Sequence, residues 1–155
     1  MDLAALVPPG ATASRSLVVT EDLTVGHWAE GMPPVFGTPF LIYLMEVAAA
    51  DVLKPYLPEG WATVGAQVNV SHLAATPLGM TVTATAKLVS ATERTATFEV
   101  VAHDGVEKVG EGTHVRGAVD LAKFEKRWKA KAQAAGETLP GIAPSPGNGT
   151  SLRPA

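Results

Sequence analysis

The sequence predicts an α+β fold in which a long antiparallel sheet wraps one central helix. Three observations predict it. Residues 38–57 read as a helix that is apolar on nearly all sides, with a single charge, Glu46, between Pro39 and Ala50. Residues 61–119 are dominated by Val, Thr and Ala in period-two alternation, the pattern of half-buried strands. Helices and strands do not alternate along the chain, which argues against a parallel sheet. A helix with no polar face to give to water must be covered, and a sheet curled around it is the economical cover.

The elements follow in order. Residues 1–14 lack a basic start, and their short apolar patch ends in Pro8-Pro9-Gly10, so they are expected as a loose N-terminal arm, not a signal peptide. RSLVVTEDLTVGH (15–27) reads as a strand and a turn, and WAEGMPPVFG (28–37) as a loop. Thr38 can cap the helix, Pro39 suits its first position, and Pro55 and Pro58 end it. In WATVGAQVNVSH, alternation assigns Val64, Ala66, Val68, Val70 and His72 to one face, and Thr63, Gly65, Gln67 and Asn69 to the other.

The turn ATPLG leads into MTVTATAKLVS, which sets Thr81, Thr83, Thr85 and Lys87 on one face. ATERTATFEVVAH follows, and His103-Asp104-Gly105 is a hairpin signal. The last strand runs from about 107 to 121, with Gly110, Gly112 and Gly117 marking bulges or close backbone approach. DLAKFEKRWKAKAQAA reads as an amphipathic helix with five Lys+Arg against two Asp+Glu. Residues 136–155 hold four Pro and four Gly without periodicity and are expected to be disordered. The domain map is therefore an arm (1–14), one domain with its C-terminal helix (15–135) and a tail (136–155).

Composition excludes several classes. A net charge of −3 argues against a nucleic-acid binder. The absence of Cys excludes disulfides, thiolate metal centres and a Cys nucleophile, and fits a cytoplasmic protein. No apolar run approaches the ~20 residues of a membrane span. No HExxH and no His pair at helical spacing occur, so no metal site is expected. Phosphate-loop and GxSxG motifs are missing as well.

Glu46 is the most informative residue, because a carboxylate inside an apolar helix is costly to bury unless paired. Its bland reading is a narrow exposed stripe or a satisfied backbone contact. Thr38 stands at a helix N-terminus, where a hydroxyl caps and free N–H groups can hold an oxyanion. His72 ends a strand face, where it is either a structural histidine or a base. His114 shares a face with Arg116 on the last strand; His103 lies in a turn and His27 in a loop.

VFGTPFLIYLME (35–46), VSHLAATP (70–77), AHDGV (102–106) and GTHVR (112–116) together resemble hotdog-fold thioesterases of the fluoroacetyl-CoA thioesterase type, over roughly residues 15–130. The resemblance implies a hotdog fold: a five-stranded antiparallel sheet around the long helix. It implies hydrolysis of acyl-CoA thioesters with no separate cofactor, CoA being part of the substrate. It also implies a homodimer with sites at or near the interface; pairing of dimers into tetramers stays open.

Thr38, Glu46 and His72 match the family's catalytic threonine, carboxylate and histidine. Gly65 and Arg116 match positions near the site, and Met32 and Phe36 are carried as substrate-binding. The family places phenylalanines in the loop before the threonine; here Met32 stands where one would be, so the acyl group stays open. Rival readings are a hotdog hydratase or dehydratase, disfavoured because His72 has no Asp within several residues, and a non-catalytic acyl-CoA-binding module. Attack by water and attack by Glu46 are both open.

Overall fold

The computed structural model describes residues 1–138. In order come α1 (Leu3–Leu6), β1 (Thr12–Val18), a 3-10 turn (Glu21–Leu23), α2 (Val25–Trp28), α3 (Thr38–Leu53), a 3-10 turn (Lys54–Tyr56), β2 (Trp61–His72), β3 (Thr81–Ala91), β4 (Thr95–His103), β5 (Lys108–Asp120) and α4 (Leu121–Thr138). The strands form one five-stranded sheet in the order β1-β3-β4-β5-β2, antiparallel throughout. This is the α+β architecture that the sequence predicts.

The sheet curls around α3. Leu41, Leu44, Met45, Ala48, Ala49, Val52 and Leu53 of α3 are buried against Val82, Ala84, Ala86 and Leu88 of β3 and Ala96, Phe98, Val100 and Ala102 of β4. Each large side chain so buried contributes about 1.5–3 kcal/mol. At Gly110 of β5 a Cβ would come within 2.8 Å of the Leu41 side chain, so the glycine is what lets α3 approach that strand. Thr81, Thr83, Thr85 and Lys87 face outward as expected; Ser14 and Ser16 of β1 bond Thr85 and Thr83 across the strands at 2.7 and 2.6 Å.

Four expectations change. The N-terminal stretch is not loose: Leu3 and Val7 are buried in the core, Asp2 caps α1, and Leu3 N–H donates to Glu93 O at 3.0 Å. Two apolar anchors and main-chain bonds outweigh its Pro-Pro-Gly composition. Thr38 is not the cap of α3; Gly37 holds that position without a side-chain bond, and Pro39 keeps its place in the first turn. Alternation along β2 fails midway, because the register against β5 slips by one between Gly65 and Gln67 and leaves Ala66 unpaired. Before this bulge the residues facing α3 are Thr63 and Gly65; after it they are Val68, Val70 and His72. Finally, α4 continues to Thr138, capped by Asp120. The tail expected to be disordered otherwise lies outside the described residues.

β2 forms one edge of the sheet. It is long, pairs among the described residues with β5 alone, and has Val68 42% exposed. Behind it, Ile42, Tyr43, Glu46, Val47 and Ala50 leave one side of α3 only half buried. Among the described residues, no helix is long and apolar enough to cross a membrane.

Candidate active site

Thr38 and His72 meet. Freed from capping, the Thr38 hydroxyl lies 2.8 Å from His72 Nδ1, joining the start of α3 to the end of β2. His72 Nε2 is buried and has no hydrogen-bond partner among the described residues. Burial lowers the His72 pKa below the ordinary histidine value, and a contact with the Ala74 main chain works against it. The pair lines an open cavity of ≈ 320 Å³ with apolar walls from Val25, Val35, Phe36 and Leu73. Phe36 is anchored there by its N–H, which donates to Thr76 O at 2.8 Å, and Trp28 packs on Phe40 with ring centres 5.8 Å apart. Met32 does not join this lining; it stands 50% exposed on the preceding loop.

Glu46 sits in a second cluster, two turns farther along α3. Arg116 Nη1 donates to Glu46 Oε1 at 3.3 Å, while Nε and Nη2 donate to Thr63 Oγ1 and O at 3.0 and 2.8 Å. Arg116 is buried, which works against its charge; the Glu46 carboxylate opposes that effect. His114 is also buried. Its Nδ1 donates to Gln67 O at 3.0 Å, which leaves Nε2 to accept from Arg116 Nη1 at 3.3 Å. Burial, then the Arg116 charge, lower the His114 pKa, so a neutral imidazole fits these roles. A Cβ at Gly65 would collide with Glu46 Oε1, so glycine there leaves room for the carboxylate.

Within one chain the two clusters stay apart. Eight residues at 1.5 Å each separate Thr38 from Glu46 by about 12 Å along α3. The bulge nevertheless brings Gly65 and His72, which regular alternation would set on opposite faces, to the same face of β2. Sequence reasoning noted His114 beside Arg116 but gave it no role. The signal was available in their shared parity on β5, one strand from Gly65. Among the described residues no group of three or more His, Asp or Glu is arranged to hold a metal ion.

Known proteins resemble this chain in sequence and in fold. The model of a family described as fluoroacetyl-CoA-specific thioesterase matches residues 19–122. A fluoroacetyl-CoA thioesterase from Streptantibioticus cattleyicolor is 40% identical over 132 residues, covering 81% of this chain and 94% of its own. A solved structure of a fluoroacetyl-CoA thioesterase superposes with a TM-score of 0.76 at 38% identity, covering 81% of this chain and 97% of that one. A hot-dog-like protein from Thermanaerovibrio acidaminovorans gives 0.78 at 27% identity, with 84% and 97% covered.

Proposed function

The chain belongs to the fluoroacetyl-CoA-specific thioesterase family, and from that membership we propose that Glu46 of one protomer works with the Thr38–His72 pair of a second copy. The protein is an acyl-CoA thioesterase, hydrolysing a short, substituted-acetyl thioester of coenzyme A to free acid and CoA. The reaction needs only substrate and water. A cysteine-free chain acting on CoA thioesters suits the cytoplasm.

The observation that carries the composite site is the gap of about 12 Å between Thr38 and Glu46 in one chain. Two-fold pairing of β2 edges closes it. Antiparallel pairing of a strand with its own copy reverses the strand, which sets Gly65 toward the partner's His72. The long edge strand with exposed Val68 supports such pairing, since an unpaired edge invites it. The half-buried side of α3 would be covered by the same contact.

The chemistry divides between the clusters. His72, held neutral by burial and oriented by Thr38, suits a base for water. Glu46, fixed by Arg116 through Oε1, then has Oε2 available to attack the thioester carbonyl. CoA thiolate leaves, and water activated by His72 cleaves the resulting anhydride. The start of α3 supplies dipole and main-chain N–H for the oxyanion. The apolar walls beside Thr38 suit a short acyl group.

Release of free CoA from a panel of short acyl-CoAs tests the activity, and Glu46→Gln should lower kcat by at least about 10²-fold with the circular dichroism unchanged. A folded wild type that releases no CoA from any of them would overturn the thioesterase reading. Single turnover in ¹⁸O-water that leaves label in the Glu46 side chain would establish the anhydride; label confined to the free acid fits both direct attack by water and opening of the anhydride at its acyl carbonyl, and rapid-quench mass spectrometry separates these, an acylated Glu46 supporting attack by the carboxylate and its absence meaning direct attack by water. Mixing Thr38→Ala with Glu46→Gln subunits tests the composite site. Half the dimers are then mixed, each with one intact site, so activity should recover to about a quarter of wild type. No recovery would put both clusters to work within one chain.

A further inference from the structure

His114 is a buried, titratable side chain that the proposed chemistry does not use. It stands on β5 opposite Val68 of β2 and Phe98 of β4, a position at which burial alone asks for an apolar residue. An imidazole costs more to bury than such a residue, and both of its nitrogens then need partners. Here both have one: Nδ1 donates to Gln67 O at 3.0 Å, and Nε2 accepts from Arg116 Nη1 at 3.3 Å.

The two partners belong to different parts of the structure. Gln67 is the first residue of β2 to pair with β5 after the skipped Ala66, so its carbonyl marks the bulge. The ring stays close to the other side of the bulge as well, since a Cβ at Gly65 would lie 3.4 Å from His114 Cε1. Arg116 Nη1 carries two protons and faces three acceptors: His114 Nε2, Glu46 Oε1 at 3.3 Å and Glu46 O at 3.4 Å. Thr63 fixes the Nε and Nη2 edge of the guanidinium; His114 fixes Nη1, the nitrogen that Glu46 uses. A neutral ring that donates on one side and accepts on the other suits this place. A carboxylate there would compete with Glu46 for the guanidinium, and an ammonium would repel it.

We infer that His114 is a positioning residue for thioester hydrolysis: its neutral ring ties the bulge carbonyl of Gln67 to the nitrogen of Arg116 that holds Glu46, and so sets the direction of the Glu46 carboxylate. The inference rests on the thioesterase reading and deepens it at the Glu46 cluster. His114 acts through Arg116 and not on the thioester itself. The bulge then does more than set strand parity, because a shift of Gln67 O reaches Glu46 through one ring and one guanidinium.

The test sets His114→Leu, which keeps apolar bulk, beside His114→Gln, whose amide can donate to Gln67 O and accept from Arg116. With an acyl-CoA that the wild type cleaves, His114→Leu should lower kcat about tenfold or more while KM moves by less than about twofold. His114→Gln should recover most of that loss. A Leu variant near wild-type kcat, a Gln variant no better than the Leu variant, or a loss carried in KM would overturn the inference. In an Arg116→Lys background, His114→Leu should cost less than about twofold in kcat, because the nitrogen it positions is gone; losses that simply multiply would count against the bridge. Long-range ¹H–¹⁵N spectra of the wild type decide even where His114→Leu does not fold. They should show a neutral imidazole protonated on Nδ1 at neutral pH, a signal that is missing in His114→Gln; a proton on Nε2, or on both nitrogens, overturns the bridge. A wild type that releases no CoA overturns the thioesterase reading and the inference with it. A working enzyme with the other tautomer, or one indifferent to His114, overturns the inference alone.

Discussion

Arg116 connects three groups at once: the Glu46 carboxylate, the His114 ring and both oxygens of Thr63. A lysine there cannot reproduce the fork, because its single ammonium must choose among partners held in different directions. Arg116→Lys should lower kcat more than it raises KM, and should cost roughly 1–3 kcal/mol of stability, measured by denaturant unfolding. Gly65→Ala should keep the fold and lose turnover, because the added methyl must displace the Glu46 carboxylate; near-wild-type kcat would show that Glu46 need not occupy this position. For His72, burial lowers the pKa. The acid limb of kcat/KM should therefore fall below the ordinary 6.5 of a free histidine. Residue type and position single out Glu46 and leave Thr38 and His72 with two readings each; the catalytic roles proposed for the three come from the family resemblance. Their separation into two clusters is not legible, because sequence shows which residues are distinctive but not how far apart the fold sets them.

At the scale of elements, the hairpin after β4 is more than a turn. Asp104 Oδ1 accepts from Val106 N and Glu107 N at 2.9 and 3.0 Å, and Oδ2 accepts from Thr76 Oγ1 at 3.0 Å. Thr76 O in turn receives Phe36 N–H, so the hairpin pins the loop after His72 and the loop before Thr38 together. The main-chain bond from Glu107 leads the interactions that lower the Asp104 pKa; desolvation opposes them. Because the folded value lies below the unfolded one near 3.8, its contribution is complete above that pH and is lost as pH falls through the lowered value. Asp104→Asn should therefore flatten the acid limb of thermal stability, and Asp104→Ala should cost about 1–3 kcal/mol. The Asp-Gly signal announced the turn; its long-range partner could not be read, since Thr76 is 28 residues away. The sheet and α3 were legible because their periods are clean. The faces of β2 were not, because Val64, Ala66, Val68 and Val70 continue an apolar alternation straight through the irregularity.

At the scale of the molecule, the proposed pairing of two copies rests on one edge of the sheet. Val68→Lys should prevent edge pairing and give a folded monomer by sedimentation. If the site needs two copies, that monomer should also lose thioesterase activity. Retained activity in a true monomer would place catalysis within a single chain. The unpaired Ala66 has a wider consequence. Each half of the proposed site includes a residue of β2, Gly65 beside Glu46 and His72 beside Thr38, and the shared orientation of these two depends on an odd or even number of residues between them. Almost any side chain can change along that stretch without disturbing the count. Loss of a single codon would turn one half inside out while leaving every catalytic residue encoded. For descendants of this chain, the length of β2 is therefore as heritable a determinant of activity as the chemistry it carries.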